Sequence, residues 1–188
     1  MPHLILIRHS ETKRVPGVNA HQWQLSEEGR RRCDALTAHV RADDLRVIVS
    51  SEEPKALQTA QPVADALAIP LRTGVGLHEH DRRNVPCVGD DANFQATIQR
   101  LFAEPSVLVY GNETADQAHE RFAAAVQAVV AAHPVGNIAI VTHATVLTLF
   151  VSRIAGLDPF ALWSRLGMPA VVRVALPEYR LVEVVEAV

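Results

Sequence analysis

The chain alternates short, wholly apolar runs with stretches whose apolar positions recur every three or four residues. Leu4 to Ile7 is the first continuous apolar run, the pattern of a strand buried on both faces. Ser26 then offers an N-cap, and Cys33, Leu36 and Val40 fall on one helical face. Val47, Ile48 and Val49 make a second buried strand. Pro54 suits the first position of a helix carrying Ala56, Leu57, Ala60, Val63, Ala64 and Leu67 at helical spacing. Pro62 falls inside it, where a missing N–H predicts an interruption and a kink. Leu71 to Asp91 holds Gly74, Gly76, Pro86 and Gly89 among charged residues and histidines, and reads as loop with a short strand.

A helix is expected from Ala92 to Phe102, stopping before Pro105. The next begins with a capping box, Thr114 and Gln117, and presents Ala118, Phe122, Ala125, Val126 and Val129 on its core face. Ile138 to Val141 is a third buried strand. It runs straight into Ala144 to Ile154, a nearly all-apolar helix ended by Gly156. Val171 to Leu176 and Leu181 to Val185 read as strands, and the short Pro177-Glu178 connection predicts a hairpin. The alternation predicts an α/β fold: three layers, α/β/α, with a mostly parallel sheet and an antiparallel edge strand.

Composition narrows the setting. The chain has 188 residues, 48% of them apolar and 21% charged, which suits one hydrophobic core. A net charge of -3 argues against a nucleic-acid partner bound through a global basic surface. Met1 to Ile7 lacks the charged and apolar regions of a signal peptide, and no apolar run is long enough to span a bilayer. A cytoplasmic protein with no membrane partner is expected. Cys33 and Cys87 are too few for a disulfide framework and are read as free thiols. Of the 18 basic residues only Lys13 and Lys55 are lysines.

Ligands of open α/β sheets bind at the carboxyl ends of the strands. Three strands end there in polar residues: Arg8-His9-Ser10-Glu11-Thr12, Ser50-Ser51 followed by Lys55, and Thr142-His143 at a helix start. Two histidines, an arginine and a lysine converging on one crevice are costly without a counter-charge. A bound dianion resolves that cost, and the amides opening the Ala144 helix add partial positive charge. No GxxxxGK[ST], GxGxxG or GxSxG motif is present, so a P-loop NTPase, a dinucleotide fold and an elbow-type serine hydrolase find no support.

Leu6-Ile7-Arg8-His9-Ser10-Glu11-Thr12 resembles the RHG-E-T signature of the histidine phosphatase superfamily, the phosphoglycerate mutase-like proteins. Leu25-Ser26-Glu27-Glu28-Gly29-Arg30 is similar to the L-T-E-x-G segment of that family. Ser50-Ser51 with Ala56-Leu57-Gln58-Thr59-Ala60 resembles S-S-x-x-x-R-A-x-Q-T-A. Leu77-His78-Glu79, Gly111-Asn112-Glu113-Thr114 and Val141-Thr142-His143-Ala144 resemble its L-x-E, G-E-S and V-S-H-G segments. The segments occur in family order from Leu4 to about Gly156, and imply a single phosphoglycerate mutase-like domain over residues 1–188.

The resemblance implies a metal-independent phosphatase acting on a small phosphorylated metabolite, a phosphoprotein being a further substrate class, with no cofactor. His9 is then the nucleophile, one ring nitrogen fixed by a backbone carbonyl. Arg8, Lys55, His143 and the Ala144 amide hold the phosphoryl group, and Glu79 serves as general acid and then base. Glu11, Glu52, Glu53 and Glu113 lie near the same segments and compete with Glu79 for that role. His80, Arg82, Arg83 and Trp23, with the helix near Phe94, are the substrate-binding candidates. Arg82 and Arg83 bind an anionic part of the substrate or form a solvated charge pair. The His78-Glu79-His80-Asp81 run is a metal cluster or a solvated loop, the loop being favoured, so no metal is expected.

Three departures matter. Lys55 stands where the family has an arginine, which keeps the charge but loses the planar fork and predicts weaker phosphate binding. Ser10 and Ala144 replace glycines, tolerable where φ stays negative. Val15 replaces an asparagine that Asn19 replaces in turn only if the loop folds back. Mutase-type phosphotransfer and a catalytically weak phosphate-binding regulatory module are the alternatives, and the oligomeric state is open.

Overall fold

The computed structural model describes residues 2–85 and 91–188. Among these, six strands form one sheet: β1 (His3–Arg8), β2 (Leu45–Ser50), β3 (Leu71–Thr73), β4 (Asn137–Thr142), β5 (Ala170–Ala175) and β6 (Arg180–Val185). Their order is β3-β2-β4-β1-β5-β6. The pairs among β1 to β4 are parallel, whereas β5 runs antiparallel to β1 and β6 antiparallel to β5. The helices are α1 (Glu27–Val40), α2 (Pro54–Leu67), α3 (Asp91–Ala103), α4 (Ala115–Ala132), α5 (Ala144–Ala155) and α6 (Pro159–Arg165). The expected mostly parallel sheet with an antiparallel edge is present.

The apolar runs of the strands sort by parity. Leu4, Leu6, Val47, Val49, Ile138 and Ile140 face one side of the sheet, with Ile98 and Leu101 of α3, Phe122 and Val126 of α4, and Val146 and Phe150 of α5. Ile5, Ile7, Ile48, Ala139 and Val141 face the other, against Leu36 and Val40 of α1 and Ala56, Ala60 and Val63 of α2. Helices thus cover both faces, which is why these strands read as continuous apolar runs. Residues Ala144 to Ser152 of α5 are all buried, which explains a helix apolar on every side. No described helix is long and apolar enough to cross a membrane.

Local signals set the helix ends. Ser26 Oγ accepts the Gly29 amide at the start of α1, and Pro54 opens α2. At α4 both arms of the capping box form, Gln117 N to Thr114 Oγ1 at 3.1 Å and Thr114 N to Gln117 Oε1 at 2.9 Å. Two expectations change. α2 runs unbroken through Pro62: one backbone donor is lost there, but the buried Ala56, Ala60, Val63 and Ala64 hold the helix on the sheet. The short α6, capped by Asp158 with Pro159 at its first position, was not expected, since a single buried residue, Leu162, leaves no periodicity to read. Cys33 is a free buried thiol, pushed up to about 11 by burial. Cys87, Pro86 and Gly89 lie outside the described residues.

The strand order places the candidate chemistry. β4 lies between β1 and β2, so the three polar carboxyl ends are neighbours. The ladders continue one residue past the strands: His9 N donates to Thr142 O at 2.9 Å and Ser51 N to Val141 O at 2.9 Å.

Candidate active site

His9 is almost fully buried at the end of β1, and its Nδ1 lies 2.7 Å from the Ser10 carbonyl. A carbonyl accepts only, so Nδ1 carries the proton and Nε2 carries the lone pair of the neutral ring. Neutrality is enforced. Burial disfavours the cation, the neighbouring His143, Lys55 and Arg8 add to this, and together they outweigh the Ser10 carbonyl, holding His9 well below the ordinary histidine value.

The family-like segments meet around this loop. Ser10 N donates to Thr59 Oγ1 at 2.9 Å, and Ser10 Oγ donates to the Gly29 carbonyl at 2.7 Å. Ser26 Oγ donates to Glu11 Oε1 at 2.8 Å, and Leu25 N donates to Gln58 Oε1 at 2.8 Å. A Cβ on Gly29 would run into the Glu11 carbonyl, so the start of α1 needs a glycine to pass under the loop. Neither Ser10 nor Ala144 is among the described non-glycine residues with positive φ, so both take these positions without strain.

Arg8, Lys55 and His143 converge on His9 but differ in availability. Arg8 donates through one terminal nitrogen to the Leu166 carbonyl, its buried Nε has no hydrogen-bond partner, and burial pushes it down to about 10. Lys55 is 5% exposed and is already held: its Nζ pairs with the Glu53 carboxylate and donates to Ala20 O at 2.8 Å. His143 is fully buried, with its ring centroid 5.2 Å from that of His9 and Nε2 2.9 Å from Ser51 Oγ. It does not line the cleft, and burial with the nearby Lys55 holds it well below the ordinary value. His143, expected to hold the phosphoryl group, is therefore a buried ring beside His9 that its surroundings push toward the neutral form.

Glu79 occupies the helix start that was expected to receive phosphate. Its Oε2 accepts Thr145 N at 3.1 Å and its Oε1 accepts Val146 N at 3.2 Å, at the first turn of α5 beyond Ala144. Burial alone would raise this carboxyl, but His143, Arg82 and the His80 and Thr145 amides outweigh it and lower it. Glu53 ties the parts together: Oε1 accepts Glu79 N at 2.9 Å and lies 3.6 Å from His143 Nε2, while Oε2 holds Lys55. Arg121 braces the same segment through the carbonyls of Gly76, His78 and Glu79, and pairs with Glu113. Glu113 also accepts Asp81 N at 2.8 Å, and Gly111, at φ 79°, passes where a Cβ would meet the Asp81 carbonyl. Thus Glu113 is committed to Arg121 and Asp81 N, and Glu53 to Lys55 and Glu79 N; Glu52, Glu53 and Glu79 all border the cleft, and Glu79 is the one seated on the α5 amides.

A cleft of about 730 Å³ opens beside these groups, lined by Arg8, His9, Lys55, Glu79 and Ala144. The substrate-binding candidates separate here. Trp23 lines the cleft with its Nε1 donating to Val18 O at 3.0 Å. Arg82 lines it with its guanidinium 4.6 Å from the Phe94 ring centre. Arg83 also borders the cleft, but it is exposed and paired with Asp81 at 2.7 Å, the solvated pair that was its other reading. His80 is buried, its ring 4.7 Å from that of Tyr110 and tilted by 34°, with Nε2 2.7 Å from Glu113 O and Nδ1 without a partner, which makes it a brace of the wall. Asn19 borders the cleft, donating one amide N–H to Arg83 O and holding His21 with its oxygen, which leaves its second N–H as the donor for the role of the asparagine missing at Val15. The His78-to-Asp81 side chains diverge to different partners, and the described residues hold no group of three potential metal ligands.

Arg121 is the residue the sequence reading missed, and Glu53 it named only as a competitor of Glu79. Glu53 carried a weak signal, an acid two positions before a lysine at a helix start. Arg121 carried none, because its partners lie on three loop carbonyls more than forty residues away.

The two neutral histidines give the fold a pH dependence. Both have native values below the unfolded one, so on acidification below about 6.5 the unfolded chain takes up protons that the native chain refuses. Stability then falls as pH falls. Where both rings stay neutral, linkage gives a loss of roughly 2–3 kcal/mol between pH 7.0 and 5.5, to which His78 and His119, also lowered, add in the same direction. Urea denaturation at the two pH values measures it, and equal stability would mean that the native rings are charged.

A family model described as histidine phosphatase superfamily (branch 1) matches residues 4–184. Among solved structures, Bacillus stearothermophilus YhfR is 25% identical with a TM-score of 0.78, the match covering 99% of this chain and 96% of that one. A mycobacterial glucosyl-3-phosphoglycerate phosphatase shares the fold at 17% identity and a TM-score of 0.77, covering 100% and 99%. A phosphoserine phosphatase from Entamoeba histolytica, in complex with 3-phosphoglyceric acid, shares it at 16% identity and a TM-score of 0.77, covering 98% and 97%. The comparison with curated proteins returns no match.

Proposed function

Because the chain belongs to the histidine phosphatase superfamily, branch 1, we propose that it is a metal-independent phosphatase that hydrolyses a small phosphomonoester through a phosphohistidine on His9. The observation that carries this reading is the His9 ring, kept neutral by its surroundings and fixed through Nδ1 on the Ser10 carbonyl, with Nε2 left as the nucleophile. The mycobacterial and amoebal structures are named for glucosyl-3-phosphoglycerate and phosphoserine, both small phosphomonoesters, which supports the substrate class.

The residues divide the reaction as follows. His9 Nε2 attacks phosphorus, a P–N bond forms and the ester P–O bond breaks. Arg8 and Lys55 face the non-bridging oxygens, where charge builds. His143, expected to hold the phosphoryl group, lies beside His9 without lining the cleft, and so positions the nucleophile instead. Glu79 protonates the leaving oxygen; the incoming phosphate raises its carboxyl by like-charge repulsion, which offsets the groups that lower it in the empty cleft. As carboxylate it then takes a proton from water, which attacks phosphorus, breaks the P–N bond and restores neutral His9.

Turnover of phosphorylated metabolites in chelator-treated buffer tests this reading. Loss of all turnover with the chelator would overturn it. The Glu53–Lys55 pair favours a second reading, a phosphate-binding module with weak catalysis, because a bound phosphate has to compete with Glu53 for the ammonium. Glu53→Gln removes that competitor, and inorganic phosphate should then inhibit about 3- to 10-fold more tightly. Unchanged inhibition would take Lys55 out of the phosphate site.

A further inference from the structure

We propose that the aromatic wall of the cleft is a leaving-group subsite for a planar apolar alcohol bearing a negative charge, with Phe94 and Trp163 receiving the ring and Arg82 the charge. This rests on the phosphatase reading above and names its substrate class. A cleft of about 730 Å³ far exceeds the space of a phosphate and falls in the range of drug-sized ligands. Beyond the phosphate-site residues its lining includes Trp23, Phe94, Tyr110 and Trp163, a large share of the few aromatic residues in a chain with 5%. Phe94 and Trp163 meet edge to face at 6.1 Å; Trp163 stacks on Phe160 and Phe94 carries Arg82, so a flat group would take the opposite ring faces.

Two polar atoms of this wall, Trp163 Nε1 and His80 Nδ1, have no hydrogen-bond partner but are buried, and several others are committed. His80 Nε2 lies on Glu113 O, Trp23 Nε1 on Val18 O, and Asn19 bridges Arg83 and His21. A polyol such as a sugar would be desolvated there against aromatic faces without matching partners. Arg82 differs from its neighbour. Arg83 is held by Asp81, whereas Arg82 lies over the Phe94 ring; among the described residues no carboxylate is within ion-pair distance of it, Glu79 feeling its charge from farther off. A guanidinium fixed by cation–π contact keeps its in-plane donors for a bidentate carboxylate.

Non-hydrolysable phosphonates separate the parts of this inference. Competition is read against turnover of acetyl phosphate, a small activated substrate that barely reaches the wall. Benzylphosphonate should bind about 10-fold more tightly than methylphosphonate, and 4-carboxybenzylphosphonate about 10-fold more tightly again. Phe94→Ala should erase the first gain; Arg82→Gln should erase the second and keep the first. Equal affinities for the three compounds, or gains that survive both substitutions, would overturn the subsite. If acetyl phosphate is not turned over, the phosphatase reading fails by itself, and calorimetric titration with the same phosphonates still decides the subsite.

Discussion

Replacing His9 with alanine is expected to lower kcat by about 10⁴-fold or more, with the fold intact. The size of the effect follows from the covalent route. Without an imidazole there is no P–N bond, and water would have to attack the substrate directly from the buried position that the ring occupies. The substitution removes one side-chain hydrogen bond, to Ser10 O, but leaves the His9 amide on Thr142 O and the loop held by Ser10, Thr59 and Gly29. Loss of a buried ring costs some stability, so unfolding by urea is measured beside kinetics. Wild-type enzyme quenched in alkali during turnover should carry one acid-labile phosphate on His9, and the variant none. Turnover by His9→Ala within tenfold of wild type would remove the phosphohistidine from the mechanism.

Glu79→Gln should divide the reaction by leaving group. The amide oxygen can replace one of the two carboxylate oxygens that accept Thr145 N and Val146 N, its NH2 then facing the other N–H, so unfolding by urea is measured beside the kinetics; the proton is gone. With an alkyl phosphate, whose alkoxide needs protonation to depart, kcat should fall by about 10²- to 10⁴-fold. With 4-nitrophenyl phosphate the leaving phenolate departs unaided. Phosphorylation of His9 then outruns hydrolysis, which still lacks its base, and rapid mixing should show a burst of nitrophenolate close to one per enzyme. An equal loss for both substrates with no burst would mean that Glu79 only caps α5. The contrast is independent of Glu53 and Glu113, which the structure commits to Lys55 and Arg121.

These expectations rest unequally on sequence and on structure. The strands were legible because burial on both faces writes continuous apolar runs at Leu4–Ile7, Val47–Val49 and Ile138–Val141. The α4 capping box was legible because Thr114 and Gln117 satisfy each other within one turn. The position of His9 at a strand end, and the carbonyl partner of its ring, were expected and are found. Pro62 misled because the propensity of one residue was weighed without the burial of its neighbours. Arg82 and Arg83 are the same residue type side by side, and only the fold sends one onto Phe94 and the other to Asp81.

The sequence by itself determined the order of elements apart from α6, the two-faced sheet and the gathering of His9, Arg8, Lys55 and His143 at the strand ends. It also marked Lys55, one of two lysines, at a position where the resembling family carries arginine. The tertiary structure decided the protonation and the pairing. Burial beside His9 pushes His143 toward the neutral form, Lys55 is held by Glu53, and Glu79 sits on the amides of α5. Periodicity and capping are written over a few adjacent residues, so they survive in the linear chain. Burial and charge pairing depend on groups brought together from segments 26 to 92 residues apart, such as Glu53 with Glu79 and Ser51 with His143, and only folding sets those distances.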